Sequence, residues 1–221
     1  MGQPTSAADL QARFLSRLMM AHQSIREHSR RLGGVTVGST VAALLCCEGF
    51  FACIWAGDSR IYLLRDGKLT QLTTDHTEAQ ELLRQGILTR EQAKTWPRKN
   101  VITRAIGVFE EPNSEQVSGQ IMPGDAFLLC SDGLTEHVTD AEIATHLANP
   151  RPQAACDSLV TLTLARGARD NVSVIVVRCG PLPPGSQHEY LAASDDDDKT
   201  VPGMALIGDL HRTNGQGQDG G

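Results

Sequence analysis

Four short stretches of this 221-residue chain place an acidic residue beside a small or turn-forming one at the end of an apolar run. They are Gly57-Asp58-Ser59-Arg60, Thr74-Asp75-His76, Ser131-Asp132-Gly133 and Arg169-Asp170-Asn171. Singly, each is ordinary turn chemistry, because short polar side chains bond their own backbone and glycine tolerates unusual dihedrals. Together they admit a second reading. Aspartates at the mouths of several core strands can converge on one rim of a sheet, and oxygen-only ligand sets select hard cations, Mg²⁺ or Mn²⁺, over zinc or copper. A pair of such ions about 3.5–4 Å apart can activate water towards a phosphate ester. Spacing alone does not decide between turn formers and metal ligands.

The elements that must position these residues follow from pattern. Residues 6–31 predict a helix: Leu10, Phe14, Leu18, His22 and Ile25 share one stripe, widened by Leu15 and Met19. Ser6 suits the N-cap, Gly33-Gly34 the stop, and the basic stretch Arg26 to Arg31 the C-terminal dipole. Residues 37–72 read as an antiparallel meander of short runs, TVAALLCC, FFACIWAG, RIYLLR and KLTQL, buried on both faces. Asp66-Gly67 between two of them is a tight-hairpin signal. Residues 77–95 return to helix, with Thr89 as an N-cap and Trp96-Pro97 as the stop. Strands follow at SEQVSGQI and DAFLLC, joined by the turn Met122 to Asp125, then helices at 140–148 and 153–166 and a strand at 172–178. Phe127 to Cys130 thus form the strand that delivers Asp132, with Gly133 expected to let the backbone turn.

Composition narrows the class. A hydrophobic content of 40% with 4% aromatics supports one sizeable core built on Leu, Val, Ile and Ala. A net charge of -6 argues against nucleic-acid binding driven by bulk charge. The six cysteines lack CxxC spacing and lie mostly in apolar runs, which favours buried thiols in a reducing cytosol over disulfides or zinc. No run approaches the ~20 apolar residues of a membrane span, and the first residues carry no secretory pattern. The expectation is a cytoplasmic protein with no membrane and no nucleic-acid partner. From Gly180 the chain turns to Pro, Gly and an Asp195–Asp198 run, so residues 1–179 are expected to fold and 180–221 to form a flexible tail. The DDDDK string there is assigned no function.

GSTVAALL (38–45), WAGDSRIYLLRDGKL (55–69), LTTDHT (72–77), VITRAIG (101–107), LLCSDGL (128–134) and ARDNVSVIVV (168–177) occur in that order. They resemble the bacterial branch of the metal-dependent PP2C (PPM) protein serine/threonine phosphatases, from about Gly33 to Cys179. The resemblance implies an α+β fold: a sandwich of two antiparallel sheets flanked by helices, with residues 77–97 as a flap beside the active site. It implies hydrolysis of phosphoserine and phosphothreonine on proteins by metal-activated water, with Mn²⁺ or Mg²⁺ as cofactor. Asp132 and Asp170 would ligate one metal of the catalytic pair, and Asp75 a third, weaker one that Asp132 also touches. Asp58 lies in a motif that is structural in the family, expected to form a turn tied to Arg60. For His76, a hydrogen-bonded structural imidazole is favoured over a general base. His22 and His137 support no functional role.

The chain also departs from the family. These phosphatases begin with a strand carrying an Asp-Gly motif whose aspartate bridges both metals, and nothing before Gly33 matches it. Asp9 precedes Leu10 on a predicted helix, and Asp66-Gly67 is a hairpin turn. The expectation is an N-terminally truncated domain, through a misassigned start or a fragment, that holds ligands for one catalytic metal. Such a chain is expected to be weakly active or inactive and prone to association at open strand edges. The alternative is a pseudophosphatase that binds or regulates without catalysis. The WAGDSR variant and the polar tail are similar to phosphatases that accompany bacterial type VI secretion systems. That similarity implies a serine/threonine kinase and a forkhead-associated protein as partners, beside the phosphorylated substrate.

Overall fold

A computed structural model describes residues 3–180 and 205–206. The first element, α1 (Ala7–Arg31), starts where Ser6 accepts the Asp9 N–H at its side chain. Its apolar stripe of Phe14, Leu15, Leu18 and Ile25 packs on Ile54, Ala56, Val41 and Leu45. These belong to β1 (Val41–Cys47) and β2 (Phe50–Ala56), a hairpin in continuous antiparallel register from Val41–Ala56 to Cys47–Phe50.

The meander expected over residues 37–72 does not form as one sheet. β3 (Arg60–Arg65) and β4 (Lys68–Gln71) pair with each other across Asp66-Gly67, whose φ values of 49° and 75° fit the hairpin turn. β2 and β3, however, lie in different sheets. The Gly57-Asp58-Ser59 link therefore carries the chain from one layer to the other. The same happens between β5 (Glu115–Gln120), which pairs with β2, and β6 (Ala126–Cys130), which pairs with β3. Turn signals mark where a strand ends; they do not say whether the next strand is a neighbour or lies opposite.

α2 (Glu78–Arg84) and α3 (Arg90–Lys94) form the expected helical excursion, the second opened by a capping box of Thr89 and Gln92. A single turn, α4 (Asp132–Thr135), follows β6, and α5 (Asp140–Leu147), α6 (Pro152–Ala165) and β7 (Val174–Arg178) complete the domain. A two-residue strand, β8 (Ala205–Leu206), runs parallel to β5. It lies in the segment expected to be a flexible tail, and the rest of that segment is outside the described residues. The sheets have the orders β1-β2-β5-β8 and β4-β3-β6-β7.

Three apolar cores make the layers. The middle one lies between the sheets, where Phe51, Cys53 and Trp55 meet Ile61, Leu63 and Phe127. Phe51 and Phe127 pack edge to face at 4.9 Å, a geometry worth ~1 kcal/mol beyond burial. On the far face of the second sheet, Tyr62, Leu64, Ala126 and Leu128 pack on Leu134, Ile143, Leu147 and Leu159 of α4 to α6. With α1 on the other side this is the expected α+β architecture, two antiparallel sheets flanked by helices. Strand alternation explains it: Phe127 enters the inter-sheet core while Ala126 and Leu128 face the helices.

Candidate functional site

All four acidic motifs lie at ends of core strands. Asp58 and Ser59 sit between the end of β2 and the start of β3, and Asp75 lies past β4. Asp132 is the first residue of α4 after β6, and Asp170 lies just before β7.

Two hydrogen-bonded seams hold them. In the first, the Gly57 N–H donates to His76 Nδ1 at 3.2 Å and the His76 N–H donates to the Gly57 carbonyl at 2.9 Å. A side chain at Gly57 would meet the Thr40 methyl at 2.4 Å, and φ is +115°, so this crossing admits only glycine. Trp55 stacks on the His76 ring and donates its indole N–H to the Thr74 carbonyl. With Nδ1 accepting, the His76 ring proton sits on Nε2, 3.4 Å from the Glu115 carboxylate. Burial, then the nearby Arg104 charge, pushes its pKa below the ordinary value. His76 is a strut between two loops.

The second seam joins the other two motifs. Ser131 donates its hydroxyl to the Asn171 carbonyl and accepts the Ser173 N–H, while its own N–H donates to the Ser173 carbonyl. A Cβ on Gly133 would lie 2.5 Å from the Asn171 carbonyl oxygen. Here the structure corrects the sequence expectation. Gly133 is helical, without a positive φ, and glycine is needed for the close approach of the Asp170 loop, not for a turn. The loops that carry Asp132 and Asp170 are thereby joined. Each aspartate uses Oδ1 to accept the N–H of the following residue, at 2.9 and 2.7 Å. Among the described residues neither Oδ2 accepts a hydrogen bond.

Asp75 is held differently. The Arg60 fork donates from Nε to Oδ1 at 2.8 Å and from Nη2 to Oδ2 at 2.7 Å, and Gln71 reaches Oδ1 at 3.3 Å. Arg60 is tied to Asp75, not to Asp58 as expected from their adjacency. Among the described residues Asp58 forms no salt bridge, although the Arg60 charge acts on it weakly. Burial first, then the Asp132 charge, and to a lesser degree Asp75, push its carboxyl up to about 6. Sequence reasoning set Asp58 aside as a turn former, yet it shares an anionic field with Asp132 and Asp75. Nothing in the linear order signalled this, because three separate loops supply the charges.

Among the described residues no three His, Cys, Asp or Glu side chains form a complete metal cluster. The donor set nonetheless fits a hard divalent cation in part. It is all carboxylate oxygen, it has open Oδ2 atoms on Asp132 and Asp170, and after burial the Asp132 charge adds to the rise of the Asp58 carboxyl. Asp132 and Asp170 would hold such an ion. Asp75 fits such a role less well, since Oδ1 already accepts from Arg60 and Gln71 and only Oδ2 keeps a lone pair beyond its bond to Arg60.

The family model of protein phosphatase 2C matches residues 4–172, so α1, left outside the sequence resemblance, falls within it. The serine/threonine protein phosphatase PstP of Mycobacterium tuberculosis is 38% identical over 173 residues, 76% of this chain and 33% of PstP. The chain thus spans about a third of the length of that relative. Among solved structures, PppA, described as a key regulatory component of T6SS in Pseudomonas aeruginosa, superposes with a TM-score of 0.72 at 37% identity. It covers 80% of this chain and 73% of its own. The catalytic domain of PstP in complex with two manganese ions gives a TM-score of 0.66 at 32% identity, covering 80% and 72%. Family members of this kind use Mn²⁺ or Mg²⁺.

Proposed function

The chain belongs to the protein phosphatase 2C family, and from that premise we propose that it hydrolyses phosphoserine and phosphothreonine esters on proteins in a Mn²⁺- or Mg²⁺-dependent manner. The observation that supports this reading is the Ser131 seam, which ties the loop that carries Asp132 to the one that carries Asp170, each aspartate having an Oδ2 that accepts no hydrogen bond among the described residues. A divalent cation bound there supplies Lewis acidity, activating water and offsetting charge on the phosphoryl oxygens. The residues of this chain do the rest. Asp132 and Asp170 hold the ion, the amides of Gly133 and Asn171 fix the direction of each carboxylate, and Asp58 and Asp75 keep the surrounding potential negative.

The set includes two aspartates for one metal of the catalytic pair, and among the described residues no third His, Cys, Asp or Glu completes a metal-holding group with them. We therefore propose weak turnover for this chain, and a binding or regulatory role in place of catalysis is the second reading favoured by that same absence. Likeness to PppA, described as a key regulatory component of T6SS, supports a regulatory setting of that kind; as its partners we propose a phosphorylated protein, a serine/threonine kinase and a forkhead-associated protein in the cytoplasm. No helix among the described residues is long and apolar enough to cross a membrane.

The test is hydrolysis of p-nitrophenyl phosphate and a phosphothreonine peptide with Mn²⁺, comparing the chain with Asp132→Asn. Slow, Mn²⁺-dependent turnover that disappears in the variant is expected. Turnover indifferent to Asp132 or to chelation contradicts the assignment, and Mn²⁺ binding without turnover selects the regulatory reading.

A further inference from the structure

We propose that the run of residues 98–104 selects phosphoprotein substrates carrying acidic residues two or three positions from the phosphorylated one, with Lys99 as the residue that decides the preference. The inference rests on the phosphatase reading of the site and names the class of substrate it takes.

Residues 90–104, REQAKTWPRKNVITR, hold five cations, Arg90, Lys94, Arg98, Lys99 and Arg104, against one acid, Glu91, in a chain whose net charge is -6. The fold lays the end of this run along the rim that carries the aspartates. On one side it is stitched to the residues after Asp75: the Thr103 N–H donates to the His76 carbonyl at 2.8 Å and the Glu78 N–H to the Val101 carbonyl at 2.9 Å. On the other side the Asn100 amide donates to Glu136 at 2.9 Å, and the Glu136 N–H closes a helical turn on the Asp132 carbonyl. Three of the cations are engaged at the surface, Lys94 with Glu91, Arg98 with Glu78 and Arg104 with Glu115. Lys99 is exposed and forms no ion pair among the described residues, because Glu136, the acid across from it, goes to Asn100. Val101 and Ile102 are exposed beside it and add apolar contact. The occupant that fits is an extended acidic peptide. A phosphopeptide entering the site meets the negative field of Asp58, Asp75 and Asp132, and its flanking carboxylates add to that repulsion unless cations take them up. At ~3.3 Å per residue, a position two or three away lies ~7–10 Å from the phosphorylated residue. That matches one turn of α4, ~5.4 Å, plus the contact from Glu136 to Asn100.

Fluorescence anisotropy with the full chain and Mn²⁺ compares two peptides whose phosphothreonine is replaced by a phosphonate that cannot be hydrolysed. They differ only in having Asp or Asn at the second and third positions to either side. The Asp peptide should bind about fivefold more tightly at low salt and lose that lead at about 0.5 M salt, as exposed charge pairs do. Lys99→Gln should cut the lead to about twofold or less, and Lys99→Glu should reverse it. Equal binding of the two peptides, no binding of either, or a lead that survives in Lys99→Glu overturns the proposal. Equally tight binding of an Asp peptide without the phosphonate overturns it too, and assigns the surface to acidic segments at large, such as Asp195–Asp198 of this chain. Wild-type hydrolysis of p-nitrophenyl phosphate, which has no flanking residues, reports on the site separately. Its absence defeats the phosphatase reading, whereas a phosphonate-dependent Asp lead that needs Lys99 still establishes the selecting surface.

Discussion

Strand β3 carries an arginine at each end, and each forks onto an aspartate with the same geometry: 2.8 Å from Nε and 2.7 Å from Nη2. The surroundings separate them. At the far end, Asp125 is 1% exposed and also accepts the Met122 N–H, while Arg65 donates to the Gln120 carbonyl. That pair ties the β5–β6 turn to the end of β3. At the near end, the Asp75 side chain is 18% exposed and Arg60 27%, and two further carboxylates crowd the same space. The same ion pair is a clasp in one place and part of an electrostatic site in the other. What distinguishes them is the excess of negative charge nearby, and that excess arises from topology.

The contrast is most easily broken by stability measurements. Asp125→Ala removes a carboxylate that is 1% exposed, leaving the Met122 N–H and Arg65 without their acceptor, and should cost about 2–4 kcal/mol in denaturant unfolding, without altering Mn²⁺ binding. Asp75→Ala leaves Arg60 its bond to the Tyr62 hydroxyl and removes one of several mutually repelling carboxylates, so it should cost less, ~1 kcal/mol. Equal losses would erase the distinction. Gly133→Ala forces a methyl against the Asn171 carbonyl and should cost about 1–3 kcal/mol while weakening Mn²⁺ binding, because it parts the Asp132 and Asp170 loops. Normal Mn²⁺ affinity in that variant would mean the two loops act independently.

A pH profile sharpens the comparison further. Because the Asp58 carboxyl titrates at about 6 in the fold against an ordinary 3.8, protonation favours the folded state. Its stabilising effect is complete below the unfolded value and is lost as pH rises through about 6. Asp58→Asn in chelator should thus match wild type near pH 4 and be more stable by ~1 kcal/mol above pH 7, after allowance for solvent screening. A Mn²⁺-loaded protein should lose that gap. The smallest effect concerns the β1 edge, VAALLCC, which carries no charge. Cys46→Lys at its exposed position should lower association measured by light scattering, with little change in melting.

Much of this molecule was legible in its sequence. Helix limits followed from caps such as Ser6 and Thr89, and hairpins from turn dipeptides such as Asp66-Gly67, because both depend on residues close in the chain. The partner of Arg60 was not legible. Its nearest acid in sequence is Asp58, but the crossing at Gly57 swings that residue away while β4 returns Asp75 to the guanidinium. Gly133 was noticed for the wrong reason, since only the fold brings Asn171 against it. The aspartates at strand ends were visible as a set, whereas their grouping depends on which strands share a sheet, and apolar alternation does not encode that.

If the Ser131 seam builds a cation site from Asp132 and Asp170, Mn²⁺ binding must depend on both carboxylates. The decisive measurement is Mn²⁺ titration of the chain, Asp132→Asn, Asp170→Asn and Asp125→Asn, with no phosphate ester present. One tighter event is expected in wild type and Asp125→Asn that vanishes in both Asp132→Asn and Asp170→Asn, all variants remaining folded. Retention of that event in either of the latter two would contradict it.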